Sequence, residues 1–187
     1  FDELVRELYV EESAGAQRVR DRMAELLGSE VLVDDGKAVN RPVLKARLFD
    51  PDCPPCMREE IQDITTPHIM RLYRDRLAQA SGVVVVEWAQ LAEMGLSHLV
   101  NHRVIAVDSP DRDKLLRKRS IDAETFARVA AHQWNIDRKV EALQTVVNRD
   151  AFGSIVLYEN HLDSTSSARG LDRLTDHIST ILNLEKR

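Results

Sequence analysis

The stretch "VVVVEWAQLAEMG", residues 83–95, sets four β-branched apolar residues directly before an acid. Val83–Val86 shows no alternation of apolar and polar positions. That pattern predicts a strand buried on both faces, the habit of parallel sheets flanked by helices. A second apolar run, "RVIAVDSP" at 103–110, reads as another such strand, with Ser109 as cap and Pro110 opening a helix. Strand, short helix, strand, helix is the order of an α/β fold built from βαβ units. In open sheets of this class ligands collect beyond the carboxyl ends of the strands, which makes Glu87 a site candidate. Its other reading is an acid at the start of the next helix, where the dipole favours negative charge. The strand alone favours that second reading.

The chain has 187 residues, enough for one domain with a real core and an attached helical subdomain. Hydrophobic content of 43% and charged content of 30% are ordinary for a soluble globular protein, and no segment is apolar enough to span a bilayer. A net charge of -5 argues against generic nucleic-acid binding, which needs a basic face to displace counterions. Two cysteines and no signal peptide make a reducing, cytoplasmic setting the expectation. The chain opens on Phe1 rather than Met, so a fragment or a trimmed chain is expected.

Leu4, Leu8, Val19, Met23, Leu26 and Leu27 fall at helical spacings on either side of "EESAGAQ", predicting two helices with a joint, the second ending at Gly28. "EVLVDDGKAVNRPVLKARLF" predicts a short apolar run, an Asp35-Gly36 turn and a helix entered through Pro42. Another helix begins after Pro54-Pro55. Thr66-Pro67 reads as a cap and first position, so one helix is expected to stop near Ile64 and a new one to start there. Asp122 is expected to cap a helix with Phe126, Val129 and Ala130 on one face. "LQTVV", 143–147, reads as a short strand, "DSTSSARG" as a polar linker, and Leu171, Leu174, Ile178 and Ile181 as a terminal amphipathic helix.

Three groups of residues carry possible chemistry. Arg117, Lys118 and Arg119, with Arg112 and Lys114 nearby, read either as a solvated helix end or as a flap whose guanidinium groups close over phosphates. Arg128, Gln133 and Lys139 continue that polar series. Cys53 and Cys56 form a C-P-P-C pair, but a structural zinc site needs four ligands and His68 alone leaves the set short. No metal site is therefore expected. Asp2 stands where a helix begins, as a cap or first-turn acid on its own evidence.

Taken in order, these segments resemble the dephospho-coenzyme A kinase family of P-loop kinases. "FDELVREL" is similar to the family's acid-led helix after its second strand. "LVDDGKAVNRPVLKARLFDPD" follows the family pattern at Asp35, Gly36, Arg41, Leu44 and Phe49. "ITTPHI" stands where Ile-Thr-His-Pro is usual, and "VVVVEWAQLAEMGL" where an apolar strand precedes Asp-Ile-Pro-Leu-Leu-Phe-Glu. "RVIAVDSP" and "ARVAAHQWNIDRK" resemble the next strand and the lid with its downstream Arg, Gln and Lys.

The resemblance implies a P-loop kinase-like parallel sheet with flanking helices over residues 1–160. Within it, a helical coenzyme A-binding subdomain would span about 10–80 and a helical lid about 112–139, followed by a linker and helix at 161–187. It implies transfer of the γ-phosphoryl of ATP, with Mg²⁺, to the ribose 3′-hydroxyl of dephospho-coenzyme A. Asp2 would receive the hydroxyl proton. Arg117 or Arg119 would be the lid arginine at the transferred phosphoryl, Arg128 a further nucleotide contact, and Glu87 an acid facing the cleft that orients magnesium-bound water or a substrate group. No nucleic acid or membrane partner is implied, and oligomeric state is left open.

The family's G-x-x-x-x-G-K-[ST] loop does not occur in these 187 residues. Thr66, Glu87, Ala89 and Gln90 replace the usual His, Asp, Pro and Leu. The expectation is an incomplete record of the enzyme that does not phosphorylate on its own. The alternatives are a non-catalytic relative that binds coenzyme A-like ligands or a protein partner, and a P-loop kinase for another small nucleotide or hydroxyl compound.

Overall fold

Apolar side chains one helical turn apart open the chain. Leu4 and Leu8 are buried on helix α1, Asp2–Leu8. The structure, a computed structural model, describes residues 2–109, 123–131 and 133–160, together with 172, 174–176 and 178–179. Its contacts divide the chain into two compact units, Phe1–Trp88 and Ala89–Arg187.

In the first unit Ser13 caps α2, Ala14–Leu27, its hydroxyl accepting from the Ala16 amide at 3.1 Å. That replaces a partner which the first helical turn cannot supply. Ala16, Val19 and Met23 form the buried face, and Gly28 closes the helix at φ 97, which a side chain would resist. Strands β1, Leu32–Val33, and β2, Ala38–Val39, pair antiparallel across the expected turn. Asn40 then caps α3, Arg41–Leu48, with a proline in its first turn. The long helix α4, Pro55–Gln79, buries Ile61, Ile69, Leu72 and Tyr73.

One charged residue ties these pieces together. Arg20 is only 3% exposed. Its Nε donates to the Gly36 carbonyl at 3.1 Å, Nη1 to Leu8 and Glu11 carbonyls at 3.5 and 3.0 Å, and Nη2 to Gln17 Oε1 at 2.9 Å. The cation thus satisfies carbonyls at the end of α1, in the joint and in the hairpin turn. At the surface, Arg71 grips Glu11 with 2.6 and 2.7 Å bonds, and Arg76 reaches Glu7 at 2.7 Å, lacing α4 to the α1 region.

The second unit begins with turns over 89–95 and a short 3-10 helix, Ser97–Val100, in place of the short α-helix expected after the valines. Strand β3, Arg103–Asp108, follows as expected. Helices α5, Ala123–Ala131, and α6, Ile136–Asp150, lead to β4, Ser154–Glu159. The two strands are parallel and in register from Arg103 opposite Ser154 to Asp108 opposite Glu159. Parallel neighbours need a crossover, and helices supply it here. The fold is therefore mixed helix and strand, compatible with the α/β class.

At the amino end of this pair His102 forms a clasp. Its Nδ1 lies 2.8 Å from Ser97 Oγ, and its Nε2 3.4 Å from Asp150 Oδ2. Its carbonyl accepts from the Ser154 amide at 2.9 Å. A Cβ on Gly153 would fall 2.4 Å from the Cβ of His102, so this corner admits only glycine.

Three expectations are overturned. Val83–Val86 has no regular secondary structure and joins no sheet among the described residues, and Val83 and Val85 are 61% and 87% exposed. The β-branched run pairs with no strand among the described residues, so Glu87 does not stand at the tip of a buried strand. Helix α4 does not break at Ile64 and runs through Pro67. The proline leaves only the Asp63 carbonyl without its helical donor, and burial of Ile61, Ile69, Leu72 and Tyr73 on both sides of it outweighs that loss; the Thr65 and Thr66 hydroxyls bond back to the Ile61 and Gln62 carbonyls at 2.8 and 2.7 Å. Residues 143–147 lie within α6 rather than in a strand, because Asn135 caps that helix and buries Leu143 on its inner face. The expected helix after Pro110, its basic cluster and the linker at 163–170 lie outside the described residues, as do Asp122 and most of the terminal helix.

Two outcomes follow from these contacts. Arg20→Met leaves buried carbonyls without donors and is expected to cost about 3 kcal/mol, read from the urea unfolding midpoint. Hydrogen bonds from the Arg149 guanidinium hold the Asp150 carboxyl below the usual carboxylate range, with His102 adding a smaller pull. Because the folded value is depressed, that contribution is present above the unfolded value of about 3.9 and is lost as pH falls through the folded one. Asp150→Asn should flatten the acid limb of a stability profile below about pH 4.

Candidate functional site

The carboxyl ends of β3 and β4 are where a parallel α/β sheet collects its ligands. Asp108 and Glu159 stand opposite each other at this edge. The Asn160 amide donates to the Asp108 carbonyl at 2.7 Å, and the Ser109 hydroxyl to the Asn160 carbonyl at 3.3 Å, so the two strand exits are held together.

Helix α6 delivers a second group of side chains to the same end. Its 15 residues rise about 22 Å and the six of β4 about 20 Å, so its amino end stands level with the carboxyl end of β4. There Lys139 Nζ sits 3.1 Å from Glu93 Oε1 and donates to the Ala89 carbonyl at 2.8 Å. The Trp134 amide donates to the same carboxylate oxygen at 3.3 Å. Both partners of this ion pair are largely buried, with side chains 18% and 14% exposed. The Arg138 guanidinium lies over the Trp134 ring, 4.1 Å from its centre. Glu93 Oε2 is buried with no hydrogen-bond partner. A carboxylate held this way is costly, and the Lys139 charge is what makes it tolerable.

The residues singled out from sequence are placed less tightly. Asp2 is the exposed first residue of α1, and Glu87 is exposed just after the valine run. Arg128 is exposed near the end of α5, and Arg117 and Arg119 lie outside the described residues. Lys139, read from sequence as part of a polar series, has a defined partner. Glu93, Trp134 and Arg138 were missed. The readable signal for that pair was an aromatic residue just before the Asn135 cap, four residues ahead of Arg138 in the first turn of α6. For Glu93 it was an acid inside an otherwise apolar turn.

Cys53 and Cys56 flank Pro54, whose extended conformation (φ -59, ψ 140) carries Cys53 away from the first turn of α4. Both thiols are free. Among the described residues no three His, Cys, Asp or Glu side chains are arranged to hold a metal ion. An open groove of about 460 Å³ runs along α6 past Asp137, Glu141, Gln144, Asn148 and Leu157. Its lining has no cation and no convergent polar set, so the strand ends remain the better site. Comparison of the sequence with models of known protein families matches none.

Lys139→Met strips the counter-charge from a buried carboxylate and is expected to destabilise the second unit by about 3 kcal/mol in urea unfolding. Adding Glu93→Leu should restore most of that loss, as removing both partners of a buried pair commonly does.

Proposed function

We propose that the protein is a phosphotransferase of the dephospho-coenzyme A kinase type, moving the γ-phosphoryl of ATP to the ribose 3′-hydroxyl of dephospho-coenzyme A. The observation that carries this reading is the parallel pairing of β3 and β4 through α5 and α6, with an acid at each carboxyl end. It supports a sheet of the nucleotide-kinase kind, and the order of the sequence motifs supports the particular substrate.

Phosphoryl transfer asks a protein chiefly for alignment of the reacting oxygens and for cations around developing charge. In this reading Asp2 accepts the proton of the attacking hydroxyl. Arg117 or Arg119 neutralises the transferred phosphoryl, and Arg128 contacts the nucleotide. Glu87 orients the acceptor. The Glu93–Lys139 pair has a supporting part: it holds the amino end of α6 to the Ala89 turn, next to the segment that carries Glu87. Magnesium accompanies ATP in such enzymes. The described residues offer no ligand set for it and the chain has no G-x-x-x-x-G-K-[ST], so no step here runs through the metal.

The test is ADP release with ATP and dephospho-coenzyme A, using protein expressed from the whole open reading frame. Asp2→Asn should lower kcat by about 100-fold or more with little change in KM, as expected for loss of a general base. Calorimetry that finds coenzyme A-type ligands bound and ATP unbound would instead establish a non-catalytic binder, and turnover with a different acceptor would reassign the substrate.

A further inference from the structure

The first turn of α6 carries an arginine that stacks where others form ion pairs. Arg22, Arg71, Arg76 and Arg149 each hold a carboxylate. Arg138 has Asp137 beside it and Glu141 three residues on, yet its guanidinium holds neither among the described residues. It lies over the Trp134 ring instead, 4.1 Å from its centre. The main chain fixes both layers: the Trp134 amide donates to Glu93 at 3.3 Å, and Asn135, which caps α6, accepts from the Arg138 amide at 2.9 Å. Trp134 is half-buried and Arg138 is exposed. The indole thus backs a planar cation that is open to solvent.

Shape and charge decide what such a surface takes. A guanidinium laid flat on an aromatic ring presents a rigid plane, and purine bases stack on arginine planes as they do on aromatic rings. Its N–H edge would suit a phosphate, but the carboxylates of Asp137 and Glu141 flank it and repel an anion. They do not repel an uncharged nucleoside, whose hydroxyls they can accept. The same two acids line the groove of about 460 Å³ along α6, with Gln144, Thr145 and Asn148 beyond them. Residues three apart on a helix are neighbours, so Arg138 borders that groove at Glu141. The groove has the volume for a base with its sugar, and its lining has no cation for phosphates.

We propose that Trp134 and Arg138 form the stacking platform for the purine base of a nucleotide. The base lies on the outer face of the guanidinium, and its sugar enters the adjoining groove. Naming that nucleotide as ATP rests on the phosphotransfer reading. Binding of the base does not, so the two can fail separately.

Binding is read on the 187-residue chain with Trp88→Phe, which leaves Trp134 as its one tryptophan. Adenosine and ATP should quench its fluorescence saturably, and ribose 5-phosphate should not. Arg138→Lys keeps the charge and loses the plane. It should weaken adenosine binding about tenfold in equilibrium dialysis, with an unchanged urea midpoint. Absence of saturable quenching by adenosine up to about 10 mM overturns the proposal. Quenching by ribose 5-phosphate equal to that by ATP also overturns it, since it marks a phosphate site, and so does adenosine binding that Arg138→Lys leaves unchanged. Where a variant misfolds, dialysis of the unaltered chain decides, and a chain that retains no adenosine overturns the platform. Adenosine bound without ADP release upholds the platform and removes the phosphotransfer reading. ADP release with a KM for ATP untouched by Arg138→Lys removes the platform alone.

Discussion

A single buried guanidinium organises the first unit. Arg20 accepts the cost of leaving water because three backbone carbonyls and one side-chain amide, drawn from α1, the joint, α2 and the hairpin, all converge on it. None of those partners is a carboxylate, so the cation is held by dipoles alone. This explains how two-residue strands persist next to a turn in which Asp34, Asp35 and Gly36 all take positive φ. Such a turn stores strain that isolated short strands do not offset, and the bond from Arg20 to Gly36 fixes it. The orientation of α1, and with it the direction in which Asp2 is presented, depends on the same residue.

Local chemistry was legible wherever a residue acts on its own neighbours. The Asp35-Gly36 turn, the proline in the first turn of α3, the proline-led start of α4 and the close of α2 at Gly28 are each decided within a few residues. Strand β3 was legible from its unbroken apolar run, and β4 was not singled out. Three readings failed where distant contacts or compensation decide. Pro67 breaks no helix because the apolar residues on either side of it, Ile61, Ile69, Leu72 and Tyr73, are buried along one continuous helix. Residues 143–147 have strand-like composition, yet their apolar positions serve a helix face beneath a capped start. Val83–Val86 shows a related limit: an unbroken β-branched run predicts a strand, whereas pairing and burial need a neighbouring strand that composition cannot supply.

The site was legible in outline only. Its location at strand ends follows from the parallel reading and holds for Asp108 and Glu159. The chemistry gathered beside those ends, Glu93 with Lys139 and Trp134 with Arg138, joins residues about 50 apart or lies on a helix start that the sequence presented as a plain polar series. Pairing across such separations leaves no local trace. Asp2 and Glu87 owe their assigned roles to motif order rather than to any contact, which is why direct measurement of phosphotransfer carries that question.

The ion pairs that lace α4 to the α1 region also differ in chain separation from the contacts of Arg20. Arg20 reaches its partners over 3–16 residues, whereas Arg76 to Glu7 and Arg71 to Glu11 close loops of 69 and 60 residues. Loop closure costs entropy that grows with length, so the contacts of Arg20 cost less to close than those of α4 with the α1 region. The outermost of these contacts are exposed and screened by salt. The first turn of α1, which these exposed pairs help to hold, is accordingly expected to open locally more readily than the buried Arg20 network, and Asp2 lies in that turn.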